Sequence, residues 1–219
     1  MIELYFAPGA CSFVPHVGLE IVRQKTGEGF EPRLVKLHKG EHLTPEYLAI
    51  NPNGQVPVLV ADGRALTQIV AIADYLDRRF PQAGLLPTEP WQRAQSMSTL
   101  AWLNNTVHPT FTHVFMPHKF SDDKDVQQKV RSHAVGTYRG LLERIQGQVA
   151  AGGPEWNQPS ATLHDAYAFT LLRWGGIAGI DPASLPGLKS YVEGRMGLEP
   201  IAAALARERI ALDTYKPAA

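Results

Sequence analysis

The 219-residue chain contains a single cysteine, Cys11, and no excess of either charge: Lys plus Arg and Asp plus Glu both come to 21. One thiol cannot form an internal disulfide, which excludes the small secreted scaffolds stapled by such bonds. Balanced charge leaves no net field to draw a polyphosphate backbone or an anionic lipid surface, so neither nucleic acid nor a membrane is an expected partner. Long apolar runs are missing too. Met1 passes straight into Ile2-Glu3-Leu4-Tyr5-Phe6, without the basic region and apolar stretch of a secretory signal. These absences point to a cytoplasmic, reducing setting. No internal repeat or low-complexity tract interrupts the chain, and with 44% hydrophobic residues it can fill one or two sizeable cores.

The first eighty residues alternate short apolar runs with helical patterns, the signature of a sheet covered by helices. Ile2 to Phe6 reads as a strand, and Ala7-Pro8-Gly9-Ala10 as a loop. Ser12 to Lys25 then reads as a helix, ended by Gly27 and Gly29. Pro32 to Leu37 supplies a second strand, parallel to the first because the crossover is a helix. A short helix over Thr44 to Ala49 precedes a third strand, Val56 to Val60; Asp62-Gly63 signals a hairpin to Arg64-Ala65-Leu66. Thr67 is placed to cap the next helix, whose stripe is Ile69, Ile72, Ala73, Leu76 and Phe80. Residues 81–90 hold Pro81, Gly84, Pro87 and Pro90, a composition suited to an exposed linker between residues 1–80 and 91–219. Beyond it, Ala94 to His118, Asp125 to Val149, Thr162 to Ala178 and two shorter stretches read as helices, with a loop over Gln146 to Pro159. The fold class is α/β plus all-α: a βαβαββα unit followed by a helical region.

Three features bear on chemistry. Cys11 lies between the first strand and the N-terminus of the first helix, where unpaired N–H groups and the helix dipole favour a thiolate. The alternative is a small buried hydrophobe. Ser12 beside it offers a hydroxyl donor or a helix cap. Val56-Pro57 opens an otherwise strand-like run, which a cis bond explains; the Val56 backbone then faces outward and can pair with an extended peptide. His108, His113 and His118 are spaced by fives, which on a helix rotates each by roughly 500°, so they do not read as a metal site. Thr162 and Asp165 form a capping box.

The segments Glu3-Leu4-Tyr5, Pro8-Gly9-Ala10-Cys11-Ser12 and Pro15-His16 resemble the opening of bacterial beta-class glutathione S-transferases. Asn51-Pro52-Asn53-Gly54-Gln55-Val56-Pro57-Val58-Leu59 is similar to that family's Asn-Pro-x-Gly-x-Val-Pro-x-Leu signature. Thr67 to Ile72 with Tyr75-Leu76, and Thr162 to Tyr167 with Leu172-Arg173-Trp174, extend the resemblance over nearly the whole chain. It implies a thioredoxin-like N-terminal domain, a helical C-terminal domain, a homodimer and a glutathione co-substrate in the cleft between domains, with no metal. By position it implies Cys11, Ser12 and His108 at the reacting sulfur. Lys39, Gln55, Val56, Pro57, Gln68 and Ile69 would hold glutathione, with Lys36 and His38 competing for the role of Lys39. Ile69 and Pro109 depart from the family pattern, which more often carries Ser and Lys there, and the spacing from Trp102-Leu103-Asn104 to His108 is short. Three functions stand open: activation of the glutathione thiol for attack on a small hydrophobic electrophile, glutathione-dependent thiol–disulfide exchange through Cys11, or glutathione binding without catalysis.

Overall fold

The computed structural model describes residues 1–216; the last three residues of the expected helical region lie outside the described residues. Four strands form one sheet in the order β2-β1-β3-β4: β1 (Ile2–Phe6), β2 (Glu31–Leu34), β3 (Val58–Ala61) and β4 (Arg64–Thr67). β1 runs parallel to β2 and antiparallel to β3, which pairs antiparallel with β4. Alternation along β1 sends Ile2, Leu4 and Phe6 to one face, where α1 (Phe13–Thr26) and α3 (Ile69–Arg79) cover them in the main core. On the other face Val35 and Val58 pack with Tyr47 of α2 (Pro45–Ile50). This is a thioredoxin-like unit, as the sequence pattern implies.

The helical region consists of α4 (Pro90–Trp102), a π-turn (Leu103–Val107), α5 (His108–Phe115), α6 (Lys124–Ala151), α7 (Leu163–Ile177), α8 (Pro186–Arg195) and α9 (Glu199–Glu208). Its core is α7, most of whose residues are buried, and one apolar cluster joins it to the sheet's α1/α3 face. The Thr162–Asp165 capping box is present in both halves. Among the described residues no helix is long and apolar enough to cross a membrane.

Several expectations change. Thr67 belongs to β4 and caps nothing; α3 starts at Ile69, preceded by Gln68 at φ 72°. β2 stops at Leu34, and Pro32 is tolerated because β2 is an edge strand. β3 begins at Val58, since Pro57 has no N–H for the ladder. Residues 146–151 continue α6, which ends only where Gly152 turns left-handed, so the loop is shorter than composition indicates. Residues 81–90 are not simply exposed: Ala83, Leu85 and Leu86 are buried, and the Leu86 N–H donates to Asp77 Oδ1. The expected helix over Ala94 to His118 is interrupted by the π-turn. Pro109 has no N–H to return to the preceding turn, and its ring crowds the carbonyl four residues back, which widens the helix there.

Candidate functional site

The loop at residues 51–57 is shaped by its own side chains. Asn51 is buried; its Oδ1 accepts from the Asn53 N–H (3.1 Å) and its Nδ2 donates to the Gln55 carbonyl (2.8 Å). The Tyr47 hydroxyl donates to the same carbonyl (2.7 Å). Gly54 sits at φ 59°, where a Cβ would lie 3.0 Å from the His42 carbonyl oxygen, so both the backbone and the packing call for glycine. The loop ends in a cis Val56-Pro57 bond, leaving Val56 half-buried at the end of β3. The Gln55 side chain is exposed and Pro57 is buried.

Cys11 faces this loop. Its thiol donates to the Val56 carbonyl (S···O 3.6 Å), joining the two motifs the sequence singled out. Two effects oppose each other at the thiol. The backbone N–H groups of Cys11 and Ser12 lower its pKa, as a helix N-terminus should, but burial outweighs them and pushes it up to about 12, with the Glu208 charge adding to the rise. Burial thus works against the thiolate that the helix start favours, and in this geometry the thiol is placed as a donor. Ser12 is engaged within its own loop. It is fully buried, and its hydroxyl accepts from the Ala7 N–H (3.1 Å) and donates to the Ala7 carbonyl (3.2 Å). It closes the 7–12 loop, makes no helix cap, and has no proton left for a ligand sulfur.

Gly9, in the middle of that loop at φ 71°, is gripped by the helical region. Its N–H donates to Glu208 Oε2 and its carbonyl accepts from Trp174 Nε1, each at 2.9 Å. His108 packs on Trp174, ring centres 4.9 Å apart. Burial lowers its pKa to about 4, so its imidazole is neutral near pH 7. Phe111 stacks on the same indole. One turn earlier, Asn104 accepts a hydrogen bond from the buried Tyr167 hydroxyl (2.8 Å). Burial holds the Tyr167 hydroxyl well above the usual tyrosine range, so it is placed as a donor. The π-turn carries Asn104 and ends just before His108, and such turns recur at functional sites.

Gln68 is exposed at the head of α3, a non-glycine residue held at positive φ, which marks a constrained position. The Ile69 side chain is buried in the core, so only its backbone faces the helix N-terminus. A cleft of about 670 Å3 opens from Gln68 between α3 and α4, past Val70, Met97 and Asn104. It does not extend to Cys11 or Val56. Lys39 is exposed at the end of a short turn (Leu37–Lys39), and His38 beside it is exposed too. Lys36 is committed to Glu41 (3.6 Å), which leaves Lys39 the better placed of the two lysines. Residues that sequence reasoning did not assign are Glu208, Tyr167 and Asn104, together with Asn51 and Tyr47 as loop formers. For Asn51 the signal was its place in the Asn-Pro-x-Gly stretch; Glu208 carried none.

A thioredoxin-like sheet with a cysteine at its first helix and a cis proline opposite is the framework of thiol-handling proteins, and a helical region after it narrows the class. Residues 3–78 match the family described as glutathione S-transferase, N-terminal domain. Glutathione S-transferase GST-4.5 of Xanthomonas campestris pv. campestris is 32% identical over 94% of this chain and 98% of its own length. Among solved structures, a glutathione transferase homolog from Sulfitobacter with bound glutathione has a TM-score of 0.85 at 26% identity, covering 96% of this chain and 99% of that one. A sphingomonad glutathione S-transferase complexed with glutathione has a TM-score of 0.79 at 30% identity, covering 95% and 100%. The chain belongs to the glutathione S-transferase family.

Proposed function

We propose that the protein is a glutathione transferase that binds glutathione along the Val56 edge and presents its thiol to a small hydrophobic electrophile. The observation that carries this reading is the Cys11 thiol donating to the Val56 carbonyl, beside a helix start at Gln68 whose side chain and backbone are free to receive a carboxylate or ammonium end. The full-length similarity to named transferases supports it. An extended peptide pairing with Val56 would compete for the carbonyl that Cys11 now holds and free the S–H to donate to the ligand sulfur. His108, neutral in this setting, can supply a second N–H. Exchange through Cys11 itself is the less supported reading, because the thiol is engaged with the Val56 carbonyl and burial works against its thiolate.

In this reading Lys39, Gln55 and Ile69 flank the ligand, residues 81–90 mark the domain boundary, and a reducing cytoplasm suits the single free thiol. The test is calorimetric titration with glutathione: Gln68→Ala should weaken binding by about 1 to 2 kcal/mol, the cost of a lost polar contact. Unchanged affinity contradicts the placement. The protein is further proposed to be a homodimer, on its resemblance to dimeric transferases; a monomer mass by light scattering at working concentration contradicts that.

A further inference from the structure

The last helix sends one buried carboxylate across the molecule to the Cys11 loop. Glu208 has no exposed side-chain surface, and each of its oxygens has a partner in the first twenty residues: Oε2 accepts from the Gly9 N–H at 2.9 Å, and Oε1 lies 2.8 Å from His16 Nδ1. His16 is equally buried, between the rings of Phe6 and Phe30, and its Nε2 has no hydrogen-bond partner. On the other side of the Gly9 Cα, the Gly9 carbonyl is held by Trp174 Nε1. The two peptide planes that meet at Gly9 are therefore fixed by groups 199 and 165 residues away. Fixing both planes sets the left-handed rotation at Gly9, and a Cβ there would fall 2.6 Å from an Arg173 guanidinium nitrogen.

We propose that Glu208 is a positioning residue for the reaction: by gripping the Gly9 N–H and the His16 ring at once, it sets the 7–12 loop so that the Cys11 thiol meets the Val56 carbonyl. The Ala10 N–H to Ala7 carbonyl turn (3.1 Å) and the Ser12 hydroxyl bridge close the loop internally, but neither ties it to the rest of the fold. Glu208 and Trp174 do. A glutamine at this position can accept from only one of the two donors, because its NH2 would face the other. The ionisable groups around the loop are Glu208, His16, Arg173, His108 and Tyr167; burial is the main reason the Cys11 thiol is held up, and the Glu208 charge adds a smaller part in the same direction. Arg207, the neighbour on the same helix, ties α9 to α1 through Glu20 (2.8 Å) without touching Gly9, so it serves as a control for plain anchoring of the helix.

The role rests on the transferase reading, but its first test does not. Cys11 is the chain's only thiol, so iodoacetamide alkylation of the full-length protein reports on it alone, and its rate can be followed from neutral to alkaline pH. In Glu208→Gln, alkylation at neutral pH should be several-fold faster, because the released loop no longer holds the thiol on the Val56 carbonyl, and the pH profile should be displaced to lower pH as the charge is removed. Arg207→Ala should stay close to the wild-type rate. If Glu208→Gln does not fold, Glu208→Asp keeps the charge but is too short to reach both partners; it should react faster with no displacement of the pH profile. A folded Glu208→Gln with wild-type alkylation, or equal acceleration in Arg207→Ala, overturns the proposal. Steady-state kinetics supply the second arm: Glu208→Gln should raise the glutathione KM with little change in kcat. Absence of any glutathione activity in wild type would sink the functional reading, while the alkylation result would still decide the role of Glu208.

Discussion

The two loops that meet at the candidate site are held in opposite ways. Residues 51–57 take their shape from Asn51 and Tyr47, partners no more than eight residues from the carbonyl they bind. Residues 7–12 also close on themselves through Ser12, yet their orientation is fixed by Glu208 and Trp174 in the helical region. The first loop is a local module. The second cannot be correctly placed until the helical region has packed, so a sheet unit folded alone would carry the Val56 edge without a correctly set Cys11. The difference means that the candidate site needs both parts of the chain although the Val56 edge lies on one.

Acid should break the long-range side first. Burial lowers the His108 pKa from 6.5 to about 4, so between those values the unfolded chain takes up a proton that the folded chain refuses. Stability contributed by the neutral ring is complete above about pH 6.5 and is lost as pH falls toward 4, by about 3 kcal/mol at 1.36 kcal/mol per unit. Urea unfolding across this window should show the loss in wild type and a flatter profile in His108→Phe. Identical slopes in the two proteins would mean that the helical wall around Trp174 is not the acid-sensitive element.

A smaller effect should come from the local loop. Asn51→Ala removes two hydrogen bonds from a buried position and strands the Asn53 N–H; about 2 kcal/mol of stability should go with them, read as a lower denaturant midpoint. Because this loop does not depend on the helical region, the variant should keep the wild-type acid dependence of unfolding across the His108 window. Coupled loss of both would erase the distinction between the loops. Smallest is the Gln68→Ala change, which should touch glutathione affinity and leave stability alone.

What could be read from the sequence follows the same division. The Asn51-to-Pro57 stretch, the Asp62-Gly63 hairpin with both φ values positive, and the Thr162–Asp165 box were legible because all their atoms lie within a few residues. The placement of Cys11 at the first helix was legible; the burial that works against its thiolate was not, since the helix-terminus effect is local whereas desolvation comes from the packed tertiary structure. Ser12 was misread for a related reason, because its hydroxyl turns back to Ala7 and not toward the helix. Nothing in Arg207-Glu208-Arg209 distinguishes a surface glutamate from a buried clamp. The π-turn did leave a trace, in Pro109 and in the short spacing from Asn104 to His108.

If Cys11 serves the proposed glutathione site as a hydrogen-bond donor and not as the attacking group, conjugation survives its loss. The decisive measurement is the activity of Cys11→Ala with a model aryl halide and with a glutathione mixed disulfide, side by side. Conjugation should fall less than about tenfold, or under about 1.4 kcal/mol of transition-state stabilisation, while any disulfide exchange through the protein thiol disappears. Loss of conjugation to the uncatalysed rate in a folded Cys11→Ala protein would contradict the donor role.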